Sequence, residues 1–157
     1  MLISILLPIR IFGQNDIDSC DYEEIMALKN STTIPTVLPS CSYFLGIPYA
    51  PARKMIDAGL GVCVATDYNP GTSPSSNIPL LMSLACTQQK LVPEEAFNAV
   101  TINGACAMEI EKRVGSISIG KLANLIITKD IPSLAYIPYS FGENHIKHVV
   151  VKGHIVS

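Results

Sequence analysis

The sequence predicts an α/β fold, a parallel sheet or barrel followed by a small β region, on three observations. Leu60-Gly61-Val62-Cys63-Val64-Ala65 is an apolar, β-prone run that ends in a loop rich in Pro, Gly and Ser. A second strand pattern, residues 32–38, lies upstream of it with a helical pattern between, and such a unit must cross over to make parallel pairing. Beyond Arg113 the pattern changes to short strand-like runs separated by turns.

Composition bounds the function classes. At 157 residues and 48% hydrophobic, the chain can bury a core of one domain's size. The net charge of −2 arises from 11 basic and 13 acidic residues without a long run of either sign. That leaves no electrostatic footprint for nucleic acid or an anionic membrane, so small molecules or proteins are the expected partners. The five cysteines, Cys20, Cys41, Cys63, Cys86 and Cys106, show no Cys-x-x-Cys spacing. They read as reduced thiols of a cytoplasmic protein, with Cys63, Cys86 and Cys106 in apolar or helical runs as small core residues.

The elements follow in order. Residues 1–12 are apolar but too short to span a bilayer, lack a preceding basic segment and are interrupted by Pro8; they are either a buried strand or sequence foreign to the rest. Residues 13–18 are a polar connector. A helix starts at Asp21, with Asp21, Glu23 and Glu24 suited to the positive end of its dipole and Ile25, Met26 and Leu28 as its apolar stripe, and ends near Asn30. The strand over 32–38 is stopped by Pro39, and residues 40–46 read as a loop. A helix over 50–58, closed by Gly59, leads into the strand that carries Asp67. Asn77 caps a helix containing Pro79, Leu80, Leu81, Met82, Leu84 and Ala85. Another helix starts at Val92-Pro93-Glu94-Glu95 and runs to about Val100, and a short one begins near Thr101. Residues 114–120, 124–128 and 148–156 read as short strands. No internal repeat or low-complexity tract is visible.

Asp67 stands out because parallel α/β folds place their chemistry at the carboxyl ends of strands. Such a carboxylate is a metal ligand or general acid/base; equally, Asp-Tyr-Asn-Pro-Gly is an adequate turn in which an aspartate caps backbone amides. Asn69 offers an amide, Gly71 allows close backbone approach, and Thr72 and Ser73 add hydroxyls for a polar ligand. The three histidines, His145, His148 and His154, all lie in the terminal β region. Strand alternation puts His145 and His148 on opposite faces, which disfavours a shared metal. No nucleophile–histidine triad or Gly-rich phosphate loop is present.

Val37-Leu38-Pro39 with Tyr43-Phe44-Leu45, then Ala65-Thr66-Asp67-Tyr68-Asn69-Pro70-Gly71-Thr72-Ser73-Pro74, resemble the imidazolonepropionase family, the cyclic-amide hydrolases of histidine degradation in the amidohydrolase superfamily. Thr101-Ile102-Asn103-Gly104-Ala105, Gly115-Ser116-Ile117 and Gly120-Lys121-Leu122-Ala123-Asn124-Leu125 are similar to that superfamily's final helix and return to its small β domain. The resemblance covers approximately residues 21–157. It implies the C-terminal part of a metal-dependent hydrolase (β/α)₈ (TIM) barrel plus a small β-sandwich region. Residues 1–20 would be a divergent segment, 21–113 the last strands and helices of the barrel, and 114–157 the small composite β region.

The resemblance also implies the reaction: a Zn or Fe ion activates water, which opens the ring of 4-imidazolone-5-propanoate to N-formimidoyl-L-glutamate. By position Asp67 matches the family's aspartate metal ligand, with a catalytic role in proton handling, and Asn69, Gly71 and Thr72 match its substrate-contacting loop. Two departures qualify this. A TIM barrel takes about 250 residues, 200 at the low end, and the family's His-x-His pair, further histidine ligand and catalytic glutamate have no counterpart here. An Asp-His pair common in the family corresponds to Asp18-Ser19-Cys20, without histidine. The expectation is therefore a chain inactive alone, retaining no metal, and prone to self-association or homo-oligomer formation through exposed barrel edges. The other readings are the C-terminal part of a different cyclic-amide amidohydrolase or deaminase, or a non-catalytic interaction module.

Overall fold

A computed structural model describes residues 9–12 and 22–157. The readings of residues 1–8 and 13–21, Asp21 and Cys20 among them, lie outside the described residues.

The first unit is a parallel sheet. β1 (Ile9–Phe12) pairs with β2 (Ile34–Val37) in the register Ile9↔Ile34 to Phe12↔Val37. β2 pairs in turn with β3 (Cys63–Val64) through Thr36↔Cys63 and Val37↔Val64, giving the order β1-β2-β3. Between β1 and β2 runs α1 (Tyr22–Lys29), with Glu23 and Glu24 in its first turn and Lys29 in its last, charges that oppose the helix dipole at each end. Ile25 and Leu28 enter the core, while Met26 is only half-buried.

α2 (Pro39–Leu45) and α3 (Ala52–Asp57) connect β2 to β3. The first of these corrects the loop expected over 40–46. Ser40, Cys41 and Ser42 lack an apolar stripe because all three are buried; Pro39 starts the helix at N1, and Gly46, in the left-handed conformation at φ 65°, ends it. Gly59, at φ 89°, turns the chain after α3 as expected.

Three helices cover this sheet unit: α4 (Ile78–Gln88), α5 (Pro93–Val100) and α6 (Ile102–Ala107). The side chain of Asn77 caps α4, its Oδ1 accepting from Leu80 N at 3.0 Å. At the start of α5, Val92 N donates to Glu95 Oε2 at 2.9 Å. Asn103 of α6 donates from Nδ2 to the carbonyl of Val62 at 2.8 Å, satisfying an acceptor beside β3 that no strand meets among the described residues. Val37, Met55, Val62, Val64, Leu81, Met82, Ala96 and Ala99 form the centre of the core. A fully buried Leu or Met such as Leu81 or Met55 supplies about 1.5–3 kcal/mol, so this interior dominates the unit's stability.

The second unit is an antiparallel sheet of β4 (Leu125–Thr128), β5 (Ile146–Val151) and β6 (His154–Ile155), in that order. Three expectations change here. Residues 114–120 form turns, not a strand: Ile117 and Ile119 alternate as in a strand but are 88% and 106% exposed, and the segment is closed by Lys121 N→Ser118 O and Leu122 N→Arg113 O bonds. The run over 148–156 is a hairpin and not one strand, reversing at Lys152 and Gly153, both at positive φ. A short helix, α7 (Tyr136–Tyr139), was not anticipated; Ser83 on α4 bonds Pro138 O at 2.7 Å and anchors it.

Candidate active site

Asp67 stands just past the carboxyl end of the buried strand β3, as its sequence position predicts. The ladder continues one residue beyond that strand through Ala65 N→Val37 O at 3.1 Å. The chain then leaves the sheet, and Asp67 takes the left-handed conformation at φ 48°. For a non-glycine residue that conformation costs about 1–2 kcal/mol. The side chain is exposed, and its carboxylate makes no hydrogen bond or ion pair with the described residues.

The turn-capping role belongs to Asn69 instead. Its Oδ1 accepts from Gly71 N at 2.9 Å, Thr72 N at 2.8 Å and Thr72 Oγ1 at 3.1 Å. Its Nδ2 reaches Asp67 O at 2.6 Å and Thr72 Oγ1 at 2.8 Å. Asn69 and Ser73 also exchange backbone hydrogen bonds, which closes the loop as a miniature hairpin. Ser73, expected to offer its hydroxyl to a ligand, is wholly buried and donates that hydroxyl to Thr66 O at 2.6 Å. The loop is thus capped without Asp67, whose carboxylate faces solvent at a strand end.

Tyr68 of the loop is exposed, as are Tyr43 and Phe44 at the end of α2. Burial pushes the Tyr49 phenol upward, with Tyr43 adding to the effect. Burial likewise pushes the Cys63 thiol up, away from the thiolate a nucleophile or metal ligand requires. Among the described residues no three His, Cys, Asp or Glu side chains gather as a metal site. Asp67 fits one position of a metal shell, and the described residues do not supply the rest; three protein ligands are usual for a catalytic ion.

The histidines sit elsewhere. His145 is buried, with Nε2 2.6 Å from Ser140 Oγ and its ring 5.3 Å from that of Tyr136, while His148 and His154 lie on β5 and β6. An apolar groove of about 420 Å³ runs between α4, α5 and α7, lined by Cys86, Thr87, Pro93, Tyr136, Pro138 and Tyr139; it contains none of the loop residues.

The family model that describes the amidohydrolase family matches residues 19–156. The chain belongs to the amidohydrolase family. Its similarity to particular members is uneven in extent. It is 54% identical over 134 residues to an imidazolonepropionase of Christiangramia forsetii and 56% identical over 134 residues to one of Flavobacterium johnsoniae; in each case 85% of this chain matches 33% of the relative. An imidazolonepropionase of Alkaliphilus oremlandii is 48% identical over 130 residues, 82% of this chain and 31% of the relative. The chain thus spans about a third of the length of the curated relatives it matches.

Solved amidohydrolase folds superimpose well. An adenosine deaminase from Xanthomonas campestris with bound zinc gives a TM-score of 0.82 at 19% identity, over 94% of this chain and 36% of that one. E. coli guanine deaminase gives 0.73 at 16% identity, over 87% and 37%. At such identities the likeness speaks to fold: this amidohydrolase chain is part of an α/β barrel with an attached small β unit. The family match starts at residue 19, whereas the parallel sheet extends upstream of it through β1.

Proposed function

We propose that this chain carries the aspartate end of an imidazolonepropionase-type site, serving hydrolysis of 4-imidazolone-5-propanoate to N-formimidoyl-L-glutamate in histidine degradation. The observation that carries the reading is Asp67: a carboxylate at the end of a buried barrel strand, in a left-handed conformation and without a partner among the described residues, within a chain about half identical to imidazolonepropionases. In this reading Asp67 is the catalytic carboxylate and one ligand of a zinc or iron ion, and Asn69, Gly71 and Thr72 form the substrate-binding loop. The amide of Asn69 is engaged internally, as are the N–H groups of Gly71 and Thr72. On this reading the loop meets a ring N–H through the carbonyl oxygens of Gly71 and Thr72, which accept no hydrogen bond among the described residues, with Asn69 setting their direction.

The described residues do not complete a metal shell, so no hydrolytic step is assigned to this chain alone. Zinc-bound neighbours and the four described free thiols support a metalloenzyme of the cytoplasm. Among the described residues no helix is long and apolar enough to cross a membrane.

The test is a pair of assays. Purified chain supplied with zinc or iron is expected to show no turnover of 4-imidazolone-5-propanoate. A chimera in which this chain's matched segment replaces that of the F. johnsoniae relative is expected to be active. Turnover by the isolated chain, or a folded chimera that binds metal yet leaves the substrate intact, contradicts the proposal. The second reading, a base deaminase, is checked by offering the same chimera adenosine and guanine.

A further inference from the structure

The two peptide groups that flank the Cα of Asp67 are each held by a side chain from further along the loop. Thr66 O, in the peptide before Asp67, accepts from Ser73 Oγ at 2.6 Å. Asp67 O, in the peptide after it, accepts from Asn69 Nδ2 at 2.6 Å. Because each peptide is a rigid plane, fixing both planes fixes φ and ψ between them. We propose that Ser73 and Asn69 are positioning residues that together hold Asp67 in its left-handed conformation and so aim its carboxylate, a role that rests on reading Asp67 as the working group of the site.

Three further features fit this clamp. Ser73 is wholly buried, so its hydroxyl has no solvent partner, and its backbone N and O are both engaged with Asn69, which prevents the anchor from drifting. Asn69 is itself braced by Gly71 and Thr72, so its Nδ2 arrives at Asp67 O from a fixed direction. Glycine would occupy φ 48° without strain, yet this position carries an exposed acid with no partner among the described residues. Released from the clamp, Asp67 is expected to return to the negative φ that non-glycine residues favour, which swings Cβ and the carboxylate to a different direction.

The test reads the backbone of Asp67 by NMR on the isotope-labelled chain. A positive φ brings the amide and α protons of one residue close together and gives a strong intraresidue NOE. Ser73→Ala and Asn69→Asp are each expected to reduce that NOE to the intensity of ordinary negative-φ residues and to shift the Asp67 Cα resonance. Asn69→Asp keeps the acceptor for the Gly71 and Thr72 amides but removes the donor to Asp67 O, so it decides the matter should Ser73→Ala fail to fold. Ser73→Thr, which keeps the hydroxyl, is expected to retain the strong NOE. Folded Ser73→Ala or Asn69→Asp chains with an unchanged Asp67 NOE overturn the proposal. Since the readout is neither turnover nor metal binding, a failure of the hydrolase reading and a failure of the clamp are distinguishable.

Discussion

Asp67 holds a left-handed backbone at φ 48° while its carboxylate earns no compensating contact among the described residues. Left-handed backbone costs a non-glycine residue up to about 1–2 kcal/mol, and Lys90, Glu109, Phe141 and Lys152 share it, so the conformation alone gives Asp67 no role. Asp67→Gly should therefore raise stability by up to about 1 kcal/mol, or about 2–4 °C in melting temperature for a domain of this size, measured by thermal unfolding. Gly115 makes the opposite case. A Cβ there would lie 2.6 Å from Ala105 Cβ and 3.1 Å from Ile102 Cα, on a backbone at φ 89°. Gly115→Ala is expected to cost about 2–4 kcal/mol, combining overpacking with conformational strain. Gly120, at the same φ but with no atom within 4 Å of its added Cβ, isolates the strain alone, and Gly120→Ala should cost about 1–2 kcal/mol. Equal losses at the two glycines would show that packing around Gly115 does not matter.

Helices α3 and α5 are joined by Arg53, which bonds Glu95 at 2.7 and 3.1 Å and Asp57 at 2.8 Å. The Arg53 hydrogen bonds hold the Glu95 carboxyl below its ordinary range, against the upward push of burial. A folded-state value below the unfolded one means that this stabilisation is fully present above the unfolded carboxylate range and is lost as pH falls through the folded value. Glu95→Gln should therefore lower stability at neutral pH and flatten the acid limb of a stability-against-pH profile; an unaltered acid limb would remove Glu95 from the account. Asn77 caps α4 and also donates to Gly142 O at 3.0 Å, tying the helix after the site loop to the turn between α7 and β5. Asn77→Ala is expected to cost about 1–2 kcal/mol by denaturant unfolding. Legibility at this scale followed the chemistry of each segment. The cap at Asn77, the Pro93 start of α5 and the strand leading to Asp67 announced themselves through local signals. The helix α2 did not, because Ser40, Cys41 and Ser42 are buried on every side and leave no stripe, although Pro39 and Gly46 marked both of its ends. Ile117 and Ile119 imitated a strand whose alternation is exposed and unpaired among the described residues, and the hairpin turn at Lys152 and Gly153 carried too little apolar contrast to break its run. Within the loop, strand-end position singles out Asp67, whereas the engagement of Asn69 and Ser73 with the loop itself leaves no local signal in the sequence.

The described residues present a three-stranded parallel sheet, three covering helices and a second three-stranded sheet with Ile126, Ile127, Ile155 and Val156 exposed. In a closed barrel such parallel strands have neighbours on both sides, and the 134 matched residues make up only 33% of the C. forsetii relative. Sheet edges unpaired among the described residues and exposed apolar side chains favour association, so sedimentation of the purified chain should show concentration-dependent self-association. A monodisperse monomer across the accessible concentration range would contradict that expectation. The central claim is the proposal that Asp67 serves as a metal ligand in an imidazolonepropionase-type site. It is tested most directly by the metal-dependent turnover of 4-imidazolone-5-propanoate in the F. johnsoniae chimera, compared with the same chimera bearing Asp67→Asn. The account predicts an active chimera whose turnover falls by about 10³-fold or more, with loss of bound metal, when the carboxylate becomes an amide. Undiminished turnover with asparagine at that position would contradict it.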